Sequence, residues 1–317
     1  MFKDKTSTRT SHFSSGSAYT SLSSLNVSRD TPRSEKPGLS SSGRTSGQGT
    51  RRRSVFSVFT KTLRDKRGFI IGWFVGFAAL AALMVAFYPS MHQEGTIDQL
   101  VKTMPPAFKG LVGNLADLTR FDTYLASQLF DIRISLLAGI MATVLALGIT
   151  VGEEEKGQLR TLLSLPISRT KLLLQKWVAM LLIIFVTLLG TTVSIFALQG
   201  TVDASIEFGV LVNLFVMIWL VIAALASVTF AVAIATGKRS LAMLFGILLL
   251  AGSFIVSTFG MSVDWLKDYE WLSLFHYFPA SDVARNGIDS NNVIVLASIA
   301  LIALLVALVA FNRRDVN

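Results

Sequence analysis

The sequence predicts an all-α integral membrane protein: six transmembrane helices, an N-terminal amphipathic interfacial helix and a disordered N-terminal tail. Three observations predict it. Six apolar runs are each long enough to cross a hydrocarbon core of about 30 Å. The 317-residue chain is 52% hydrophobic and 15% charged, against roughly 25% charged in soluble domains. Its basic residues are also concentrated in alternate connections between the runs.

Residues 1–50 are dominated by Ser, Thr, Gly and Arg, with no apolar periodicity. Such a segment cannot bury enough surface to offset its ordering entropy, so it is expected to be a disordered tail. No apolar stretch follows the first basic residues, which speaks against a secretory signal. Asp4, Asp30 and Glu35 and the weak amphipathicity speak against an organelle transit peptide. Residues 51–68 form the basic segment, with Phe56, Phe59 and Leu63 near one helical face among Arg51, Arg52, Arg53, Lys61, Arg64, Lys66 and Arg67. It reads equally as a helix lying in the headgroup layer, its aromatic face in lipid, or as a plain topogenic cluster. The transmembrane domain occupies 69–317, with spans near Phe69–Tyr88, Ile134–Val151, Leu172–Leu198, Phe208–Ala235, Leu241–Met261 and Val293–Phe311.

Orientation follows from the Lys/Arg bias. With the N-terminus inside, the cytoplasmic segments are the tail and basic helix, Gly152–Lys171 with Lys176, Gly237–Ser240 and Asn312–Asn317. The external segments then hold only Lys102, Lys109, Arg120, Arg133, Lys267 and Arg285, beside a larger set of acids that includes Asp131. Both termini are expected in the cytoplasm and the chain in the cell membrane. The net charge of +9 is thereby topological, and a nucleic-acid partner is not expected.

Several chemistries drop out. Cysteine is absent, and His12, His92 and His276 lie far apart without metal-ligand spacing, so no metal site is expected. No catalytic constellation is visible. A phosphate-binding loop needs a Gly-rich run ending in Gly-Lys-Ser/Thr. Gly237-Lys238-Arg239-Ser240 lacks the upstream glycine and places its serine one position late. No charged residue is expected near the middle of any span, which counts against a proton-driven carrier; Lys176 lies close enough to an end to snorkel. Gly72/Gly76, Ala138/Ala142/Ala146, Ala223/Ser227/Ala231/Ala235 and Ser253/Ser257 have helix-packing spacing, which serves intrachain packing or a dimer seam. Thr187, Thr191, Asn213 and Thr229 are polar positions that could line a substrate path, or bond to neighbouring helices or to backbone carbonyls.

The connection Gly152–Lys171, GEEEKGQLRTLLSLPISRTK, is the informative one. Gly152 can cap the second span in a left-handed conformation. Glu153, Glu154 and Glu155 suit the start of a new helix. Leu159, Leu162 and Leu163 recur at i, i+3 and i+4, Pro166 stops the run, and Ser168 or Thr170 can cap the third span. The expectation is a short amphipathic helix between two spans. From residues alone, docking to a cytoplasmic partner and lying on lipid are equally open.

The run EEEKGQLRTLLSLPISRTKLLLQK resembles the cytoplasmic loop of type-2 ABC transporter permeases: an acid near a glycine, a Leu pair, a small residue, Pro, then Arg opening the third helix. Those positions are Glu154 or Glu155, Gly157, Leu162, Leu163, Ser164, Pro166 and Arg169. Phe311, Arg313, Arg314 and Asp315 resemble the family's C-terminal run, and Trp265–Gly287, within segment 262–291, its external re-entrant hairpin. The hairpin's Trp265, Trp271, Phe275, Tyr277 and Phe278 fit an interfacial aromatic belt or a gate.

What the resemblance implies is the membrane subunit of an ABC exporter. The loop would be the coupling helix: Glu153, Glu154, Glu155 and Arg169 would set the electrostatic fit, and Leu159, Leu162, Leu163 and Leu165 the apolar seat. This chain would bind no cofactor, and ATP and magnesium would belong to a partner ATPase subunit. The assembly would contain two copies of this chain, or one copy with a closely related permease. A secondary carrier and a non-transporting scaffold are the rival expectations.

Overall fold

The computed structural model describes residues 57–91, 120–155, 168–202, 204–260 and 263–313. The 1–50 tail, Phe56, Arg51–Arg53, most of the connection between the first two spans, and Gly157, Leu159, Leu162, Leu163, Leu165 and Pro166 lie outside the described residues. Besides three short 3-10 turns, the described residues form, in order, α1 (Ser57–Asp65), α2 (Arg67–Met91), α3 (Phe121–Ile149), α4 (Val151–Glu155) and α5 (Arg169–Leu198), then α6 (Phe208–Thr236), α7 (Arg239–Phe259), α8 (Asp264–Lys267), α9 (Ala280–Asn286) and α10 (Ser290–Arg313). The described residues contain no strand. This is the architecture expected of a backbone that must satisfy its own polar groups in lipid. Helices α2, α3, α5, α6, α7 and α10 are the six long and apolar enough to span.

Burial sorts the spans into inner and outer. In their most apolar windows α3 is 61% and α6 56% buried, against 22% for α2 and for α7. Helix α6 packs on α3, α5, α7 and α10, while α2 lies along α5. Ala138, Ala142 and Ala146 of α3 and Ala223, Ser227 and Ala231 of α6 are buried within the chain, so these small-residue stripes serve intrachain packing. Gly190 lets α5 press onto α2, because a Cβ there would run into the backbone carbonyl of Phe74. Around Gly72 and Gly76, by contrast, no atom of the described residues lies within 4 Å of where a Cβ would stand.

Indole and hydroxyl groups supply the polar links between spans. Trp177 Nε1 donates to Ser227 Oγ at 2.9 Å and Trp219 Nε1 to the Leu181 carbonyl at 3.2 Å, joining α5 and α6 in both directions. Ser194 Oγ reaches the Ala78 carbonyl at 2.8 Å, and Tyr124 OH the Met84 carbonyl at 3.3 Å. Other hydroxyls bond back to their own helix, as Thr143 does to the Gly139 carbonyl at 2.9 Å. That is the usual refuge of Ser and Thr in an apolar surround.

Helix α1 has two faces. Val58 and Thr62 are buried, with the helix packed on α5, whereas Lys61, Arg64 and Arg67 are exposed. Phe59 and Leu63 are half-buried beside that stripe, so the inward face is set one position away from the aromatic face expected to enter lipid. Gly237 ends α6 with φ 59°, and α7 starts two residues later.

The largest departure from expectation is the second span. It starts at Phe121 rather than near Ile134, and Leu125–Ile134 is π-helical. Asp122, Gln128, Asp131 and Arg133 made this stretch look like a connection. Phe121, Tyr124, Leu125, Leu129 and Phe130 hold it in the core, each no more than 5% exposed. The wider π turn is accompanied by a bond five residues back, Ser135 Oγ to the Phe130 carbonyl at 2.7 Å.

Candidate functional site

The connection at 152–171 starts from a built anchor. Helix α3 ends at Ile149, and Thr150, at φ −106° and ψ −98°, breaks the chain direction. Thr150 Oγ1 donates to the Ala146 carbonyl at 2.6 Å, filling one of the acceptors a helix end leaves open. Gly152 therefore does not make the left-handed cap expected of it. It lies within α4, and the described glycines with positive φ are Gly237 and Gly287. Glu153 falls on this new helix after the break, with Glu154 and Glu155 following in the same turn, as their charge favours.

Lys176 corrects a second expectation. It does not snorkel: the side chain is 3% exposed, with Nζ 2.7 Å from Glu153 Oε2 and 3.0 Å from the Ile149 carbonyl. The physical reason is local. The last carbonyls of α3 carry the negative end of the helix and lack intrahelical partners, so an ammonium one helix away finds both a hydrogen bond and a counter-charge. Lys66, at the junction of α1 and α2, brings a second amine there, 2.8 Å from where a Cβ of Gly148 would stand. On the far side of the connection, Ser168 caps α5 by accepting from the Lys171 backbone N–H at 3.4 Å, and Arg169 opens that helix on an exposed surface.

The beginning of the connection is thus tied to α3 and α5 at once, with α1 and α2 meeting the same point. A family model described as ABC-2 family transporter protein matches residues 58–316. The chain belongs to the ABC-2 transporter family. No curated protein matches it in sequence. As an ABC-2 permease it is a multi-pass membrane transport subunit, and partnering with an ATP-binding subunit is general in that family.

Of the path positions read from the sequence, Thr187, Thr191 and Thr229 are buried in this ABC-2 chain and Asn213 is half-buried. Thr187 is fully buried, its hydroxyl 2.9 Å from both the Ile183 and Ile184 carbonyls. Thr229 is buried where α3, α6 and α7 meet: its hydroxyl donates to the Leu225 carbonyl at 3.0 Å, and its methyl and that of Thr143 crowd Gly246. Thr191 is 1% exposed, and its Oγ1 has no hydrogen-bond partner among the described residues. Asn213 is half-buried, its amide near Gly287 at the end of α9.

Two features escaped the sequence reading. The burial of Lys176 has no signal in composition, because a lysine near a span end is also what snorkelling looks like. Asp131 was placed in an external connection, yet it sits on α3, where its Oδ1 accepts a hydrogen bond from the Ala280 backbone N–H at 3.1 Å. The recurrence of Leu125, Leu129 and Ile132 around it is the signal that could have extended the helix. Among the described residues no group of three or more His, Cys, Asp or Glu side chains could hold a metal ion.

Proposed function

We propose that this chain is the membrane subunit of an ATP-driven exporter, with ATP and magnesium bound by a separate ATPase subunit and the substrate path formed where two copies, or a copy and a related permease, meet. The observation that carries the reading is the anchor at the start of the 152–171 connection. A push delivered to that connection would reach α3 through the Thr150 break and α5 through Lys176, rather than being dissipated in a loose loop. In this reading Glu153, Glu154, Glu155 and Arg169 set the electrostatic fit to the ATPase, and Leu159, Leu162, Leu163, Leu165 and Pro166 its apolar seat. Nucleotide-driven dimerisation of the ATPases then repacks α3 and α5 against α2 and α6 and opens the path outward. The charge bias supports cytoplasmic termini and a cell-membrane location. The open Gly72/Gly76 face of α2 supports a close helix partner supplied by another subunit.

The experiment is co-purification of the full chain in mild detergent from its host, with its partners identified by mass spectrometry. A stoichiometric ATP-binding protein is expected, and it should be lost in Leu162→Glu/Leu163→Glu while membrane insertion persists. A chain that purifies alone would sink the proposal. The rival is an ion-coupled carrier, and Asp131 within a span helix is the observation on its side. Flux that follows an ion gradient without nucleotide would favour it. A scaffold would bind the partner yet show no ATP-dependent flux.

A further inference from the structure

The segment between α7 and α10 is tied down at two points on two different spans. At the first, Ser273 Oγ donates to the Ser253 carbonyl at 2.7 Å, and Ser253 Oγ accepts from the Leu274 backbone N–H at 3.3 Å, joining it to α7. At the second, Asp131 Oδ1 of α3 accepts from the Ala280 backbone N–H. Between the ties, Leu274, Phe275 and Phe278 are buried, as are Ala280, Val283 and Ala284 of α9. Trp265, Tyr269, Trp271 and Leu272 point outward and are more than half exposed. The aromatic residues thus divide: the outward ones suit the membrane interface, and the inward ones plug the bundle end.

We infer that Asp131 is a positioning residue that latches α9 onto the π-helical part of α3, so that α3 carries the hairpin with it when it moves. Four observations converge. The carboxylate sits on a span helix, a costly place for a charge unless it is engaged. Its bond bridges positions 149 residues apart in sequence. It occurs in a π-helical stretch, where the regular ladder is already loosened. The same helix ends, at its far end, in the Lys176–Glu153 anchor. Helix α3 spans 29 residues, at most about 43 Å at the 1.5 Å rise of an α-helix, and so joins the 152–171 connection to the hairpin by one continuous element. The latch itself stands on the geometry; its use as a gate rests on the ATP-driven reading above.

The natural absence of cysteine allows a direct test. In the full chain in lipid nanodiscs, Ala284→Cys places one thiol on the buried underside of α9, where a charged maleimide reacts only when the helix lifts. Adding Asp131→Ala should raise the labelling rate about tenfold, the loss expected when a buried backbone N–H is left without its acceptor. Asp131→Asn keeps an acceptor oxygen for the Ala280 N–H and should bring the rate back to within about threefold of the parent. An exposed thiol at Asn286→Cys should label equally in all three backgrounds. Should Ala284→Cys fail to fold, the rate of tryptic cleavage after Arg285 reads the same lifting. Asp131→Ala at the parent rate, or an Asn286→Cys control that accelerates as much, overturns the latch. In a second arm, ATP added to the complex should speed labelling of the parent and add nothing in Asp131→Ala. If only that arm fails, the ATP-driven reading falls and the latch stands.

Discussion

Replacing Lys176 with Met removes the ammonium while keeping most of the apolar stem, which isolates the charge from the packing. The structure sets the size of the effect. Lys176 is 3% and Glu153 14% exposed, so neither charge is well solvated, and the pair is closed by a third group, the Ile149 carbonyl. Breaking such a buried pair from one side costs about 3–5 kcal/mol, much of it the penalty of leaving the other charge unpaired. The lower end applies here because Glu153 keeps some contact with solvent. At about 2–4 °C per kcal/mol for a domain near this size, Lys176→Met should lower the unfolding midpoint by roughly 6–12 °C. The assay is fluorescence-detected thermal unfolding of the full chain in detergent or nanodiscs. Glu153→Gln should cost less, since Lys176 keeps the Ile149 carbonyl. The double variant should be no worse than Lys176→Met alone, because no charge is then left stranded. A Lys176→Met chain within about 2 °C of the parent, or a double variant that falls by the sum of the singles, would refute the anchor.

Three further outcomes follow from packing and topology. Gly190→Leu forces a side chain against the Phe74 backbone, a clash costing more than the ~1–3 kcal/mol of ordinary overpacking, and should appear as loss of the monodisperse chain in size-exclusion profiles. Trp177→Phe removes one α5–α6 hydrogen bond to Ser227 and should cost about 1 kcal/mol, with Ser227→Ala adding little on top in the same thermal assay. Single cysteines at Ser240 and at Trp265 should label from opposite faces of intact cells, Trp265→Cys from outside; labelling of both from one face would refute the orientation read from charge.

How much of this was legible beforehand varies with the kind of residue. The six spans and the Ser168 cap were visible because each depends on local chemistry: apolar length, and a hydroxyl one turn before a free N–H. The start of α3 was not, since Asp122, Gln128, Asp131 and Arg133 depress hydropathy whether they face water or a folded neighbour. Gly152 and Lys176 were misjudged for a related reason. A glycine after a span and a lysine near its end each have an ordinary local use, and only the approach of α5 to the end of α3 overrode it. Of the uses the sequence left open for the path candidates, the hydroxyls of Thr187 and Thr229 bond to carbonyls of their own helices.

The sequence by itself determined that the chain carries six helices able to cross a membrane, how its charges divide among the connections, and that one connection resembles a docking helix. Those properties depend on partition between water and hydrocarbon and on counting charges, and both can be read residue by residue. Tertiary structure decided that Lys176 closes on Glu153 and Ile149, that α9 is held by Asp131, and that α3 is a single element running from one anchor to the other. A buried charge is tolerable only beside a particular partner, and which partner stands beside it is set by how the helices pack.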